Sequence, residues 1–226
     1  MKKVFTLTAV LLLGTISMLQ AQFILGGNLG FTSQKYTEED GNDKSESTLT
    51  NINLIPRLGY AFGDFWAGLD VGISSLKVDE PDFDNEYKIN VTNVSPFIRY
   101  INKPTENLGV WVEGQAGFAF GKAEEDGEEV AKYSGINIGL RPGVIFYIGK
   151  HLTFEASFGR LGFNQTTVTD PDDSNYKTKT SETGFSLNNN AINLNALYFL
   201  EDFPLTVTNG FLFGVNYSFG GPAADK

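Results

Sequence analysis

Segments that alternate apolar with small or polar residues, connections that are short at one end and long and acidic at the other, and an N-terminal leader together predict an all-β chain. The expected fold is an eight-stranded antiparallel up-and-down transmembrane β-barrel, with ten strands as the alternative. The chain has 226 residues, enough for a leader followed by one barrel. It has no Cys, so neither disulfides nor thiolate chemistry is available. Its formal net charge of −10 excludes nucleic acid, which needs a basic face to neutralise phosphate.

The leader comes first. MKKVFTLTAVLLLGTISMLQAQ opens with Lys2 and Lys3, continues through an apolar stretch from Val4 to Ile16, and reaches Leu19-Gln20-Ala21. That order of charge, apolar run and small residue is a secretory signal peptide, residues 1–21, cleaved after Ala21. The apolar stretch is shorter than the about 20 residues of a membrane-spanning helix. Residues 22–226 are the expected barrel.

Strands are expected near 23–36, 49–62, 65–77, 87–101, 108–121, 133–148, 152–164 and 205–219. In the second, Ile52, Leu54, Leu58, Tyr60 and Phe62 share one parity, and Asn51, Asn53, Arg57, Gly59 and Ala61 share the other. In the fifth, Leu108, Val110, Val112, Ala116, Phe118 and Phe120 alternate with Gly109, Trp111, Glu113, Gln115, Gly117 and Gly121. A soluble barrel would show Lys, Glu and Thr on its polar face; here that face is mostly Gly, Asn and Ser, as suits a narrow lumen. Gly63-Asp64, 102–107 and Gly149-Lys150 are short turns, whereas TEEDGNDKSE, DEPDFDNE, AEEDGEEVAK and a stretch from Thr166 onward read as four long extracellular loops. The stretch 184–204 is either an arm of the last loop or a further strand. Two aromatic girdles are expected: Tyr36, Tyr87, Tyr133 and Phe163 at the loop end, and Phe62, Phe65, Tyr100, Phe146, Tyr217 and Phe219 at the turn end.

Charges on lumen parity carry the functional reading. With Gly63-Asp64 as a two-residue turn, Arg57 lies opposite Asp70. Arg99 with Glu113, and Arg141 with Glu155, are expected as two further pairs, opposite or diagonal. On the lipid face each charge would cost about 2–4 kcal/mol at mid-bilayer; in the lumen they compensate one another. Trp66 and Trp111 share that parity near the turn end, where they would plug a bore only wide enough for side chains.

The chain resembles the small outer-membrane β-barrel domain proteins of the Bacteroidota type, related in architecture to OmpX- and OmpA-type barrels. The marks are the LQAQ processing region, LRPGVIFYIGKHLTFEASFGRLGF at 140–163 and the closing GFLFGVNYSF. The resemblance implies an outer-membrane location, contact with outer-membrane lipid and lipopolysaccharide, and a last strand whose Gly214, Tyr217 and Phe219 are read by the barrel-insertion machinery. Leu212, where the pattern has a polar residue, and the tail GGPAADK depart from it.

No enzyme is expected: the only histidine, His151, lies in a short periplasmic turn, away from any outer-rim serine and carboxylate. Asp82, Asp84 and Glu86, with Asp170, Asp172 and Asp173, are the best candidates for a divalent cation, but neither group has EF-hand spacing. They read as a solvated acidic surface, with no metal and no cofactor. Two functions follow: a plugged structural or interaction barrel meeting an extracellular ligand through its loops, or a narrow pore or transporter for small solutes or apolar ligands.

Overall fold

A computed structural model describes residues 22–40, 43–80, 85–172, 175–186 and 211–219; the expected signal peptide lies outside them. Ten strands are present: β1 Gln22–Asp40, β2 Asp43–Phe62, β3 Phe65–Glu80, β4 Asn85–Asn102, β5 Leu108–Glu125, β6 Glu128–Ile148, β7 Leu152–Phe158, β8 Arg160–Thr169, β9 Lys177–Ser186 and β10 Phe211–Phe219. All pairings are antiparallel, and eight strands close a ring in the order β5-β4-β3-β2-β1-β10-β7-β6, with β6 returning to β5. Closure leaves no edge in the ring, which a sheet in hydrocarbon requires because no water can satisfy a free backbone group. β8 and β9 stand outside the ring as a hairpin on the outer half of β6.

The two-residue period has its expected cause. Leu25, Leu29, Leu54, Leu58, Ile98, Tyr100, Val110, Val112, Phe118, Phe120, Phe213 and Val215 are exposed on the outer surface, while their sequence neighbours turn into the bore. A band of this kind is what lipid stabilises and water does not. At the turn end aromatic rings pack in two groups: Phe23 on Tyr60 and Phe219 with Tyr217 on Phe219, and Phe65 on Phe62 and Tyr100.

Gly63 takes φ +61° at the first position of a two-residue turn, so Phe62 faces Phe65 and Arg57 faces Asp70. Gly159, at φ +63°, separates β7 from β8. Val144 pairs with Ala156 and Leu140 with Leu161, so the broken strand carries one more residue than β6 over this span. This is a β-bulge. Among the described residues β10 pairs with β7 as far as Phe158, and β8 beyond the bulge pairs with β9.

Three expectations are corrected here. Acidic segments read as long loops are largely strand: β1 and β2 pair out to Asp40 and Asp43, and β5 and β6 out to Glu125 and Glu128 around the turn Asp126-Gly127. On β5–β6 the inward positions there are the small Ala123 and Ala131 and the outward ones are charged, so the strong apolar alternation that marks a strand fades. Ion pairs replace it, such as Lys35–Glu46 at 2.6 Å, Lys77–Glu86 at 2.9 Å and Lys122–Glu124 at 2.5 Å. The last contact raises the Lys122 pKa and lowers that of Glu124 through their hydrogen bond. Second, β9 falls inside the expected fourth loop, and residues 187–204 of the ambiguous stretch lie outside the described residues. Third, Tyr133 is buried and Tyr87 packs against it on the inner wall, so neither belongs to an outer girdle. Tyr36 is in β1 but its side chain is outside the description.

Candidate functional site

The lumen is stacked in layers, and each layer follows from which residue the alternation turns inward. Nearest the turns is an apolar floor of Ile24, Trp66, Phe97, Ile101, Trp111 and Ile145, backed by Ala61 and Tyr147. Trp111 fits because its neighbour across the ladder is Gly143: a Cβ there would come within 2.2 Å of the indole ring. Beneath the floor a cavity of about 270 Å³ opens at the turn end, and Trp66 and Tyr147 are among its lining residues.

Above the floor lie the six charges. Arg57 grips Asp70 with two hydrogen bonds, Nε to Oδ1 at 2.7 Å and Nη2 to Oδ2 at 2.6 Å, and also reaches Glu113 at 2.9 Å and Glu155 at 3.3 Å. Arg99 donates from Nε to Glu113 at 2.9 Å and contacts Glu155 through Nη1 and Nη2. Arg141 contacts Glu113 and, at 3.5 Å, Asp70. Three arginines and three carboxylates thus form one neutral network, with side chains no more than 4 % exposed. The guanidinium groups rest on the floor: Arg57 sits 4.2 Å from the Phe97 ring centroid, and Arg99 3.8 Å from that of Trp111 and 5.2 Å from that of Trp66. Rings under desolvated cations add cation–π attraction to the ion pairs.

Two expected pairs are direct cross-strand neighbours, Arg57 with Asp70 and Arg99 with Glu113. The third is not formed. Glu155 faces Ile145, four positions along β6 from Arg141, and Arg141 faces Glu113 instead. Glu155 therefore turns across the bore to Arg57 and Arg99.

Outward of the charges is a polar belt that includes Asn28, Asn51, Asn53, Asn137 and Ser157, all buried. Asn137 donates to Asn93 at 3.0 Å, and Asn93 to Ser95 at 2.5 Å. A fourth buried arginine, Arg160, belongs here and escaped the sequence reading. It donates to Asn164 at 2.5 Å and to the Phe163 carbonyl at 3.1 Å. Counted from β7 it has lipid parity; the Gly159 bulge returns it to the lumen, and a glycine in mid-strand is the only sequence signal of that change. Outermost is a second apolar cluster, Leu49, Leu76, Val78, Ile89, Val91, Ala119, Ala123, Ala131 and Tyr133.

On the last strand, Tyr217 and Phe219 face outward while Gly214 faces in, where a Cβ would meet Asn28 Oδ1 and Glu155 Cγ at 2.8 Å. Of the acidic candidates, Glu86 pairs with Lys77, and Asp170 accepts a hydrogen bond from the Asp172 amide at 2.8 Å. Asp82, Asp84 and Asp173 lie outside the described residues. His151 stacks on Tyr217 at the turn end, its Nδ1 2.9 Å from the Ser218 carbonyl.

Residues 6–198 match the outer membrane protein beta-barrel domain family. The chain belongs to that family. It is therefore an outer-membrane β-barrel, and the exposed apolar band is its lipid face. No curated protein sequence matches the chain. Among solved structures it is similar to Neisserial surface protein A (NspA), with 12 % identity, a TM-score of 0.42, and coverage of 88 % of this chain and 99 % of that one. It is also similar to the outer membrane protein OprG from Pseudomonas aeruginosa, with 13 % identity, a TM-score of 0.46, and coverage of 89 % and 97 %.

Proposed function

We propose that this protein is a non-enzymatic outer-membrane barrel of the Bacteroidota type with a plugged lumen, exported by a signal peptide that is removed, and that its outward hairpins serve a structural or interaction role at the cell surface. The single observation that carries this reading is the six-charge network resting on Trp66 and Trp111. A permeating ion would have to break paired charges in a bore that side chains fill, with no compensating partner on the way. The absence of histidine from the outward hairpins supports a role other than catalysis. Contact with lipopolysaccharide and with an extracellular ligand belongs to the same reading.

The competing reading is a narrow pore, favoured by the polar belt outward of the charges. Osmotic swelling of liposomes carrying the purified barrel separates the two. The plugged barrel leaves swelling rates in small amino acids and sugars at the level of empty liposomes; a rate that rises as solute size falls supports the pore.

Gly214, Tyr217 and Phe219 are proposed as the signal to the insertion machinery. Tyr217→Ser with Phe219→Ser is expected to lower assembly into membranes more than Asn216→Ser, as read by heat-modifiable gel mobility. Equal losses would contradict that role.

A further inference from the structure

A cavity of about 430 Å³ opens at the outer mouth between β4, β5, β6 and the β8–β9 hairpin, outward of the charge network. Tyr87, Tyr133, Tyr176 and Val168 supply apolar and aromatic lining, and Glu125 and Asp170 supply carboxylates. Among the described residues no lysine or arginine lines it. Its floor continues into the outer apolar cluster, against which Tyr87, Val130 and Val168 pack.

We infer that this cavity binds a small amphipathic organic cation: an ammonium group carrying an apolar or aromatic body. Three independent features of the site select that chemistry. The volume lies within the about 300–1,000 Å³ typical of small-molecule sites, and the lining is apolar with few polar groups. Carboxylates beside tyrosine rings recognise a cation twice, by charge and by the negative ring face. The third feature is Tyr133. It is 3 % exposed, and its hydroxyl has no hydrogen-bond partner among the described residues although it borders a cavity. A buried hydroxyl is costly to leave unmatched, and although it is enclosed in this conformation, a turn of the side chain toward the cavity would let it accept from an N–H group. The Tyr87 hydroxyl donates to Glu125 at 2.6 Å, which holds that carboxylate at the rim.

The surroundings are acidic on balance. Glu124, Asp126, Glu128 and Glu129 stand on the adjoining hairpin and, with Glu125 and Asp170, outnumber the lysines nearby: Lys122 and Lys132 are engaged with Glu124 and Glu129, and Lys88, Lys177 and Lys179 flank lining residues in sequence. Such a field raises the local concentration of cations and opposes anions. This goes beyond the structural reading above and stands apart from it, because the site lies outward of the charge network and does not depend on whether the lumen conducts.

The test is calorimetric titration of the intact barrel in non-ionic detergent with three ligands of one body: 2-phenylethylammonium, 2-phenylethanol and 3-phenylpropionate. The ammonium is expected to bind tightest and to weaken with added salt, the alcohol to bind more weakly, and the carboxylate not to bind. Glu125→Gln with Asp170→Asn should weaken the ammonium by about fivefold and leave the alcohol unchanged. Thr178→Trp, which fills the cavity from β9, should abolish binding of both while heat-modifiable mobility shows the barrel intact. Equal affinity for ammonium and carboxylate, an ammonium affinity unmoved by either variant, or no binding of any of the three overturns the inference.

Discussion

The turn-side and loop-side halves of the lumen are built from the same alternation yet end in opposite states. On the turn side, aromatic rings underlie a network in which all six charged side chains have partners. On the loop side, Asn28, Asn51, Asn53 and Asn137 each keep side-chain atoms without a partner among the described residues and a cavity opens beside Tyr133, whereas on the turn side the unpartnered atoms include Trp111 Nε1, Tyr147 Oη and Arg141 Nε, and the cavity lies beneath the floor. The difference shows that alternation alone decides only which face a residue occupies. Completeness of packing is decided by what is placed there: arginine and tryptophan reach across the bore, whereas asparagine, serine and alanine do not.

The largest expected effect falls on the turn side. Arg99 holds Glu113 and Glu155 and lies over both tryptophans, so Arg99→Ala leaves the buried network with one uncompensated negative charge. Glu113 keeps Arg57 and Arg141, and Glu155 keeps Arg57 at 3.3 Å, so the expected cost lies at or below the about 3–5 kcal/mol of a fully broken buried pair, read from urea unfolding followed by the fluorescence of Trp66 and Trp111. A loss near zero would mean that the network is hydrated and contributes little. A cycle on Arg57 and Asp70 sharpens the point: the double alanine variant should cost less than the two single changes summed, since it removes a charge of each sign from a neutral group.

Glycine substitutions compare packing in the two halves with a smaller effect. A Cβ at Gly143 would meet the Trp111 ring at 2.2 Å and 2.4 Å, and the Ala156 carbonyl at 2.5 Å. One at Gly72 would find its nearest neighbour, Asn93 Cβ, at 3.6 Å. Gly143→Ala should therefore cost about 1–3 kcal/mol, and Gly72→Ala should stay within about 0.5 kcal/mol of the parent. Equal costs would show that the space beside Gly72 is as filled as that beside Gly143.

Much of the turn side was legible in the sequence, and the reason is local. Arg57 and Asp70 are joined through a two-residue turn, which fixes register with no freedom. Arg141 and Glu155 are separated by a turn whose register sets Ile145 opposite Glu155, so proximity in sequence misled. Ion pairs across a bore also answer to the opposite wall, which no neighbouring strand reports; the contact of Arg57 with Glu155 is of this kind. The loop side was less legible. Near the tip of β5 and β6 the inner face is carried by the small Ala123 and Ala131 among many acidic residues, the apolar contrast fades, and paired strand reads as acidic loop. Tyr133 and Tyr87 resembled interfacial aromatics in composition, while their parity with Ala131 and Ile89 places them inside.

The closed turn side is the central claim, and electrical recording tests it most directly. Purified, folded barrel inserted into planar bilayers is expected to give no steady unitary current at either polarity, because the charge network and the tryptophan floor occupy the bore. A stable, ohmic current through the unmodified protein would contradict the account.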